Sequence, residues 1–256
     1  MKNGITLFNL RDRCAQQADA AATLSVLKKS RVDVVQISAI GAYGIPGIAD
    51  VIKSLDLTVP VTHTPFKAIM EEPERVALEH KQIGCRFVGL GAMPGEYEKT
   101  NDGQDAFLRD LHTTAKNLAK HDVTLCYHNH DFDLRTDTCA KSNLDRMLSE
   151  FASDELFFIP DVCWIQLGGC SPTEYLQAMK GRIAVIHFKD YLLDADGKRR
   201  FCEAGNGLMD LKACYETGER VGAAYAIYEQ DDNWAETAMN STLEGCAYLD
   251  GLSGAI

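Results

Sequence analysis

The feature that most constrains the fold is a regular alternation of short apolar segments with helical patterns along the whole chain. The apolar segments are hydrophobic on both faces, as expected for parallel strands that are covered by helices. The predicted strands are residues 5–9, 32–38, 58–63, 86–91, 123–128, 156–161, 183–187 and 224–229. The predicted helices are residues 11–29, 48–55, 73–83, 105–121, 141–151, 171–180, 208–221 and 237–252.

Eight strand–helix units in 256 residues predict an α/β protein built as a single (β/α)₈ TIM barrel. No composition break or linker interrupts the pattern, so one domain over residues 1–256 is expected. An open, doubly wound parallel sheet is the alternative architecture. A G-x-G-x-x-G motif does not follow the first predicted strand, and no Walker-type phosphate loop occurs, which disfavours dinucleotide binding.

Charge and cysteine content narrow the range of partners. The net charge of -11 argues against nucleic acid and against an anionic membrane, since both require a basic face. No apolar stretch is long enough to span a bilayer, and the first residues lack a secretory pattern. Nine scattered cysteines without a C-x-x-C pair are typical of a reducing compartment, so a cytoplasmic location is expected.

Polar side chains collect at the points where the apolar strands stop. The residues at the eight predicted strand ends are Asn9, Ser38, His63, Gly91, His128, Asp161, His187 and Glu229. In a TIM barrel the active site lies at these carboxyl ends. Each residue also has a structural interpretation: Asp161 as a turn former, His187 as a strand cap, Glu229 as a charge favoured at a helix N-terminus. Four metal-competent side chains at strand ends together favour a shared site.

Two histidines, His128 and His130, lie two residues apart after the fifth predicted strand. Side chains alternate between faces along a strand, so both point the same way, although they could simply hydrogen-bond to the backbone. Two carboxylates with one or two imidazoles suit Mn²⁺, Mg²⁺, Co²⁺ or Zn²⁺ and leave positions open for a sugar hydroxyl and carbonyl. A metal held in this way polarises a carbonyl and stabilises an enediolate.

Several short motifs carry a resemblance to a known family. They are Tyr127-His128-Asn129-His130-Asp131, Asp161 with Trp164 and Gly168-Gly169, His187-Phe188-Lys189-Asp190, Glu203-Ala204-Gly205-Asn206-Gly207, and Tyr228-Glu229. In order and spacing, the sequence resembles the xylose-isomerase-like barrel superfamily, and within it the sugar phosphate isomerase/epimerase and inosose-dehydratase-like group. The resemblance covers nearly the whole chain, and the H-x-K-D element is its most specific part.

The resemblance implies a divalent-metal enzyme, with Mn²⁺ expected, that acts on a sugar, keto-sugar or sugar phosphate through an enediolate. Asp161, His187 and Glu229 match three of the family's four metal ligands. The fourth is often a glutamate on strand five, and His128 stands at the matching position. This difference puts in doubt an epimerisation that passes a proton between two facing glutamates.

Further roles follow for other residues, each with an alternative. Glu229, His130 and Lys189 are the catalytic candidates. His63, Trp164, Lys189 and Glu203 are the candidates for substrate binding. Trp164 could be plain packing, Lys189 could form a strand-end salt bridge to Asp190, and Glu203 could be a solvated loop charge.

Two other functions remain open at this stage. One is a lyase that eliminates water or an aglycone from a keto-sugar or inosose at the same metal site. Another is a non-catalytic sugar-binding partner subunit, and a homo-oligomer is also compatible with the sequence. An abasic-site nuclease of the same superfamily is disfavoured, because such enzymes need a basic groove and a larger set of ligands.

Overall fold

The computed structural model describes residues 1–136 and 141–254, and the predicted alternation of strands and helices is present in them. The strands are β1 (Lys2–Thr6), β2 (Val35–Gln36), β3 (Phe87–Leu90), β4 (Thr124–His128), β5 (Leu156–Ile159), β6 (Ile186–Phe188), β7 (Asp190–Leu193), β8 (Arg199–Cys202) and β9 (Tyr225–Tyr228). The helices are α1 (Gln17–Lys29), α2 (Gly44–Ser54), α3 (Phe66–Glu71), α4 (Pro73–Gln82), α5 (Gly95–Glu98), α6 (Asn101–Ala119), α7 (Asn143–Glu150), α8 (Val162–Leu167), α9 (Pro172–Ala178), α10 (Leu211–Arg220) and α11 (Ala238–Ser253). Two 3₁₀ helices span Leu7–Cys14 and Asp131–Leu134.

The central strands are parallel and follow one another in a cyclic order. Regular ladders join β2, β1, β9 and β6 in one sheet and β3, β4 and β5 in another. Single backbone links connect the two sheets. They are the bridges Phe158–Ile183 and Asp161–His187, the bridges Val34–Thr58 and Ile37–Thr62, and a 2.8 Å hydrogen bond from the Thr64 amide to the Gly89 carbonyl.

Side chains from the central strands separate into an inner and an outer layer, as the alternation of a strand requires. On β9, Ile227 belongs to a small inner cluster, whereas its neighbours Ala226 and Tyr228 pack outward against the helices. On β4, Cys126 points inward and Leu125 packs outward in the same way. The inner side chains therefore fill the barrel below the strand ends. Among the described helices, none is long and apolar enough to cross a membrane.

Two predicted strands differ in the structure. The first strand is Lys2–Thr6, not 5–9, because the Thr6 hydroxyl accepts a 3.2 Å hydrogen bond from the Phe8 amide and begins a 3₁₀ helix. Asn9 therefore lies in that helix. Residues 58–63 run beside β2 without a regular ladder, and Pro60 in their middle has no amide hydrogen to donate.

Several elements occur where the sequence predicted none, and a hairpin and a short helix among them position site residues. The antiparallel strands β7 and β8 form a hairpin inside the predicted loop between residues 187 and 208. The short helix α8 begins directly after Asp161, whose side chain accepts a hydrogen bond from the Trp164 amide. The site residues after β5 and β6 are therefore held by regular structure rather than by a long loop.

Gly89 on β3 allows the segment of residues 58–63 to approach the sheet closely. A Cβ atom at this position would overlap the carbonyl oxygen of Thr62. We predict that Gly89→Ala lowers the free energy of unfolding by about 2 kcal/mol, because the backbone must shift to relieve the overlap. Thermal denaturation should show a loss of roughly 4–8 °C for that change. Gly95→Ala is the matched control, since a Cβ there meets no atom within 4 Å. Equal stability of the two variants would contradict this account.

The buried imidazole of His80, in α4, also contacts the Thr62 hydroxyl. The Nδ1 atom of His80 lies 2.7 Å from the Val76 carbonyl and donates to it, so Nε2 accepts the Thr62 hydroxyl at 2.7 Å. Burial lowers the pKa of His80 to about 4, although the bond to Val76 opposes the shift. The folded protein therefore keeps this imidazole neutral.

We predict that the folded state loses about 3 kcal/mol of stability from His80 as the pH falls from 6.5 towards 4. Between these pH values the imidazole takes up a proton in the unfolded chain but not in the folded chain. The free energy of unfolding therefore falls as the pH falls. Urea denaturation of the wild type and of His80→Gln should show a shallower pH dependence in the variant. His121→Gln, at a half-buried position after α6, should keep the wild-type slope. Parallel slopes for wild type and His80→Gln would rule out this explanation.

Candidate metal centre

Four of the predicted strand-end residues meet at the carboxyl end of the barrel. His128, Asp161, His187 and Glu229 are all buried, and one ligand atom from each lies within 4.8 Å of the others. His128 ends β4 and His187 lies in β6, whereas Asp161 follows β5 and Glu229 follows β9. The cyclic order of the strands therefore brings together residues that are far apart in sequence.

Each histidine has one ring nitrogen fixed by a partner outside the cluster. His128 Nδ1 lies 3.0 Å from the Gly91 carbonyl, and His187 Nε2 lies 2.7 Å from the side-chain oxygen of Gln36. Both partners are acceptors, so these two nitrogens carry the hydrogens. The lone pairs of His128 Nε2 and His187 Nδ1 then face the cluster, as neutral imidazole ligands require.

Asp161 is shared between a helix cap and the cluster. Its Oδ1 atom accepts the Trp164 amide at 2.9 Å and begins α8, while Oδ2 faces His128. The Asn129 side chain fixes the Asp161 backbone, because its oxygen accepts the Asp161 amide at 3.0 Å. One carboxylate oxygen is therefore positioned by local structure and the other remains available.

The atoms that face the centre of the cluster fit a metal ion. Asp161 Oδ2 and His128 Nε2 are 3.5 Å apart, and both are buried without a hydrogen-bond partner among the described residues. His187 Nδ1 and Glu229 Oε2 approach to 3.1 Å although both are acceptors in this arrangement. Four converging acceptors from two imidazoles and two carboxylates are a ligand set that a divalent cation would satisfy.

A buried ammonium group balances part of the negative charge. Lys189 Nζ lies 3.3 Å from Asp161, 3.0 Å from Glu229 and 2.9 Å from Asp231. Burial alone would lower the pKa of Lys189, but the three carboxylates outweigh it and raise the pKa well above its usual value. Lys189 is therefore charged.

The positive charge of Lys189 in turn lowers the pKa values of two neighbouring carboxyl groups. Burial alone would raise the pKa of Asp161 and of Glu229, but the Lys189 charge outweighs it and leaves both pKa values lowered. Burial also holds the pKa of His187 below its usual value. Burial alone would lower the pKa of His128, but Asp161 and Glu229 outweigh it and raise this pKa above its usual value.

A cavity of about 440 Å³ opens above the cluster, and we call it the main cavity. His63, His128, His130, Lys189 and Glu229 are among its lining residues. Burial, with the nearby His128, lowers the pKa of His130 to about 3, so this imidazole is neutral. The structure thus brings most of the predicted site residues to one water-accessible space.

The sequence of the chain matches one known protein family. The profile of the family described as xylose isomerase-like TIM barrel matches residues 31–249. The chain belongs to this family. The resemblance inferred from the motifs and the predicted TIM-barrel fold are both confirmed. No curated protein matches the chain significantly.

Several solved structures share the fold of this chain at low sequence identity. A sugar phosphate isomerase/epimerase from Parabacteroides distasonis is 16% identical with a TM-score of 0.78, covering 96% of this chain and 93% of its own. The IOLI protein, solved with a bound zinc atom, is 12% identical with a TM-score of 0.74, covering 100% and 99%. A probable 3-DHS dehydratase from Bacillus anthracis is 12% identical with a TM-score of 0.73, covering 100% of both chains. At such identities the shared property is the fold.

Two of the predicted substrate-binding residues lie outside the main cavity's lining. Trp164 is buried beneath the site, with Lys189 Nζ 5.0 Å above its ring and the His130 ring 5.1 Å away. Glu203 Oε1 accepts the Ala235 amide at 2.8 Å and the Ser241 hydroxyl at 2.6 Å. This carboxylate therefore holds the loop before α11, and we do not include it in the proposed site.

The alternative interpretation of Lys189 as a partner of Asp190 also differs from the structure. Asp190 instead accepts four backbone amides and so organises the loop after β8. These amides belong to Tyr191, Gly205, Gly207 and Met209, at 2.9 to 3.1 Å. In the H-x-K-D element, the histidine and lysine face the site while the aspartate supports the adjacent loop.

Two residues of the site were not singled out from the sequence. Gln36 is a buried amide inside an otherwise apolar strand, and that unusual position was the available signal. Asp231 follows Glu229 by two residues, which predicts the same face only if the strand continues beyond β9. Neither contact has a local sequence pattern, because each partner comes from a different strand.

We predict that His187→Ala and Asp161→Ala each abolish binding of a divalent ion, because each variant removes a converging ligand and leaves the remaining charges unbalanced. Elemental analysis of the purified wild type should find about one divalent ion per chain. His112→Ala is the control, since His112 pairs with Glu155 away from the cluster. Retention of metal by both cluster variants, with circular dichroism unchanged, would refute the assignment.

Proposed function

We propose that the protein is a divalent-metal-dependent isomerase or epimerase that acts on a sugar, keto-sugar or sugar phosphate through an enediolate. The observation that carries this proposal is the set of four converging acceptors, of which His128 and Glu229 line the main cavity. The absence of thiolate ligands favours Mn²⁺, with Mg²⁺, Co²⁺ or Zn²⁺ as alternatives. We further propose that the chain is a single domain. We also propose a cytoplasmic location, which the eight free cysteines of the described residues support.

A divalent ion in this ligand set would polarise a substrate carbonyl and make the neighbouring C–H bond more acidic. Side chains of the protein would then stabilise the developing negative charge and transfer the proton. Lys189 is charged and lines the main cavity, so its ammonium can donate a hydrogen bond to the oxygen that becomes an oxyanion. Two of its three carboxylate partners lie in the ligand set, which keeps the ammonium beside the reacting carbonyl.

His130 is the candidate for moving the proton. Its ring is neutral and lines the main cavity 4.9 Å from the His128 ring, and it stacks on Phe132 with an interplanar angle of 4°. A neutral imidazole can accept a proton from the carbon next to the carbonyl and return it. Return of this proton to the former carbonyl carbon gives isomerisation. Epimerisation instead needs a second group that has taken a proton from solvent and delivers it to the opposite face of the same carbon. Glu229 is the candidate for that second role.

A second function is favoured by the histidine at the end of β4. With His128 at the position that is a glutamate in many epimerases of this group, the site lacks a pair of facing carboxylates. The same enediolate can instead expel a hydroxyl group or an aglycone from the neighbouring carbon. The alternative is therefore a lyase or dehydratase acting on a keto-sugar or inosose, and the fold similarity to a probable 3-DHS dehydratase is compatible with it.

We predict that the Mn²⁺-loaded protein, incubated with ketoses, aldoses and inososes in D₂O, places deuterium on a carbon next to the carbonyl of one of them. Proton exchange with solvent at the base accounts for this label. Mass spectrometry and proton NMR of the recovered sugars provide the measurement. An unsaturated ketone in place of a labelled sugar would select the lyase.

His187→Ala should show no exchange under the same conditions, because the carbonyl is no longer polarised. His112→Ala should behave as the wild type. If the wild type produces neither labelled sugar nor unsaturated ketone from any of these substrates, the proposed function is wrong.

A further inference from the structure

A second cavity of about 360 Å³ lies beside the main cavity, and we call it the side chamber. Most of its wall is apolar and comes from the loop after β2, the start of α2 and the region of α3. Ile37, Ile40, Ile45, Pro65 and Ala68 are among the lining residues. The wall is therefore suited to an apolar group rather than to a hydroxylated sugar ring.

The polar residues in the wall of the side chamber already have partners in the protein. Arg75 contacts Glu72 at 2.7 Å and Glu79 at 2.6 Å, which neutralises its charge. The Thr62 hydroxyl contacts the Thr64 hydroxyl at 3.0 Å and His80 at 2.7 Å. An occupant of the side chamber would thus meet few polar groups that seek a hydrogen bond.

The side chamber and the main cavity adjoin at His63 and Ala39, which line both. The His63 ring lies 5.1 Å from the ring of His128 and 5.7 Å from that of His187. Ser38 lies 3.1 Å from His63 Nδ1, while Nε2 is buried without a partner among the described residues. A polar group of a ligand that reaches from one cavity into the other would satisfy this nitrogen.

Specific contacts fix the loop after β2, which forms part of the wall of the side chamber. The Cys14 carbonyl accepts the Gly41 amide at 2.9 Å and the Tyr43 hydroxyl at 2.7 Å. Ala39 has a φ of 52°, a left-handed conformation that is uncommon for a residue other than glycine. Such a conformation persists where the surrounding structure imposes it. The side chamber is therefore a built feature of the barrel rim.

We propose that the side chamber binds an apolar substituent of the substrate, so that the protein prefers a keto-sugar bearing an apolar aglycone over the same sugar without it. The sugar lies in the main cavity against the metal centre, and its aglycone passes His63 into the side chamber. This inference rests on the proposed function for the position of the sugar. The preference for an apolar group is a property of binding and is measurable without turnover.

The test compares methyl and phenyl β-glycosides of glucose, galactose and xylose as ligands of the Mn²⁺-loaded protein. Isothermal titration calorimetry should show that at least one phenyl glycoside binds roughly tenfold more tightly than its methyl partner, from burial of the ring. Ala68→Phe fills the side chamber and should remove this advantage while leaving the affinity for the methyl glycoside unchanged. Met70→Phe, at an exposed position on the same helix outside the chamber wall, should keep the wild-type preference.

The outcomes separate this inference from the proposed function. If no phenyl glycoside has an advantage, or if the advantage survives in Ala68→Phe, the side chamber does not take an aglycone, whatever happens in the D₂O experiment. If the phenyl advantage appears and Ala68→Phe removes it while no substrate exchanges deuterium, the chamber assignment holds and the chemistry is wrong. Circular dichroism and metal content confirm that both variants are folded and loaded.

Discussion

The buried ammonium of Lys189 is the interaction on which the arrangement of the site depends. A charge removed from water is strongly destabilising unless opposite charges and hydrogen bonds surround it. Asp161, Glu229 and Asp231 supply them from the ends of two different strands, each within 3.3 Å. The carboxylates that would bind a metal are thus also the groups that make the buried lysine tolerable. The same contacts therefore balance the charge of Lys189 and fix the positions of the candidate metal ligands.

The residues that orient the ligands are as much part of the site as the ligands. Gln36 and the Gly91 carbonyl determine which nitrogen of His187 and of His128 carries the hydrogen. Asn129 holds the backbone of Asp161. Each contact fixes a side chain that could otherwise rotate, so the acceptors converge before any ion binds. The main cavity is lined by several charged and polar side chains, whereas the wall of the side chamber is mostly apolar, and His63 lines both.

Under the proposed function, the end of β4 is where this chain differs from the epimerases that its motifs resemble. There, His128 stands at the position that the family resemblance assigns to a glutamate, so the proposed site has one carboxylate fewer than a facing pair requires. The polar side chains that remain around the main cavity include His130 and Lys189, one neutral and one charged. A neutral base beside a fixed cation suits enediolate chemistry, and the route from the enediolate then depends on the substrate's own leaving groups.

The sequence by itself determined the alternation of strands and helices, the TIM barrel, and the strand ends that carry His128, Asp161, His187 and Glu229. These features follow from local hydrophobic periodicity and from the rule that parallel strands end on one side. Only the tertiary structure decided that Glu203 turns to Ser241, that Thr6 ends the first strand early, and that Gln36 orients His187. The last pair is 151 residues apart in sequence, and the side chamber is likewise assembled from several segments. Such contacts depend on closing the ring of strands, and no local pattern encodes them.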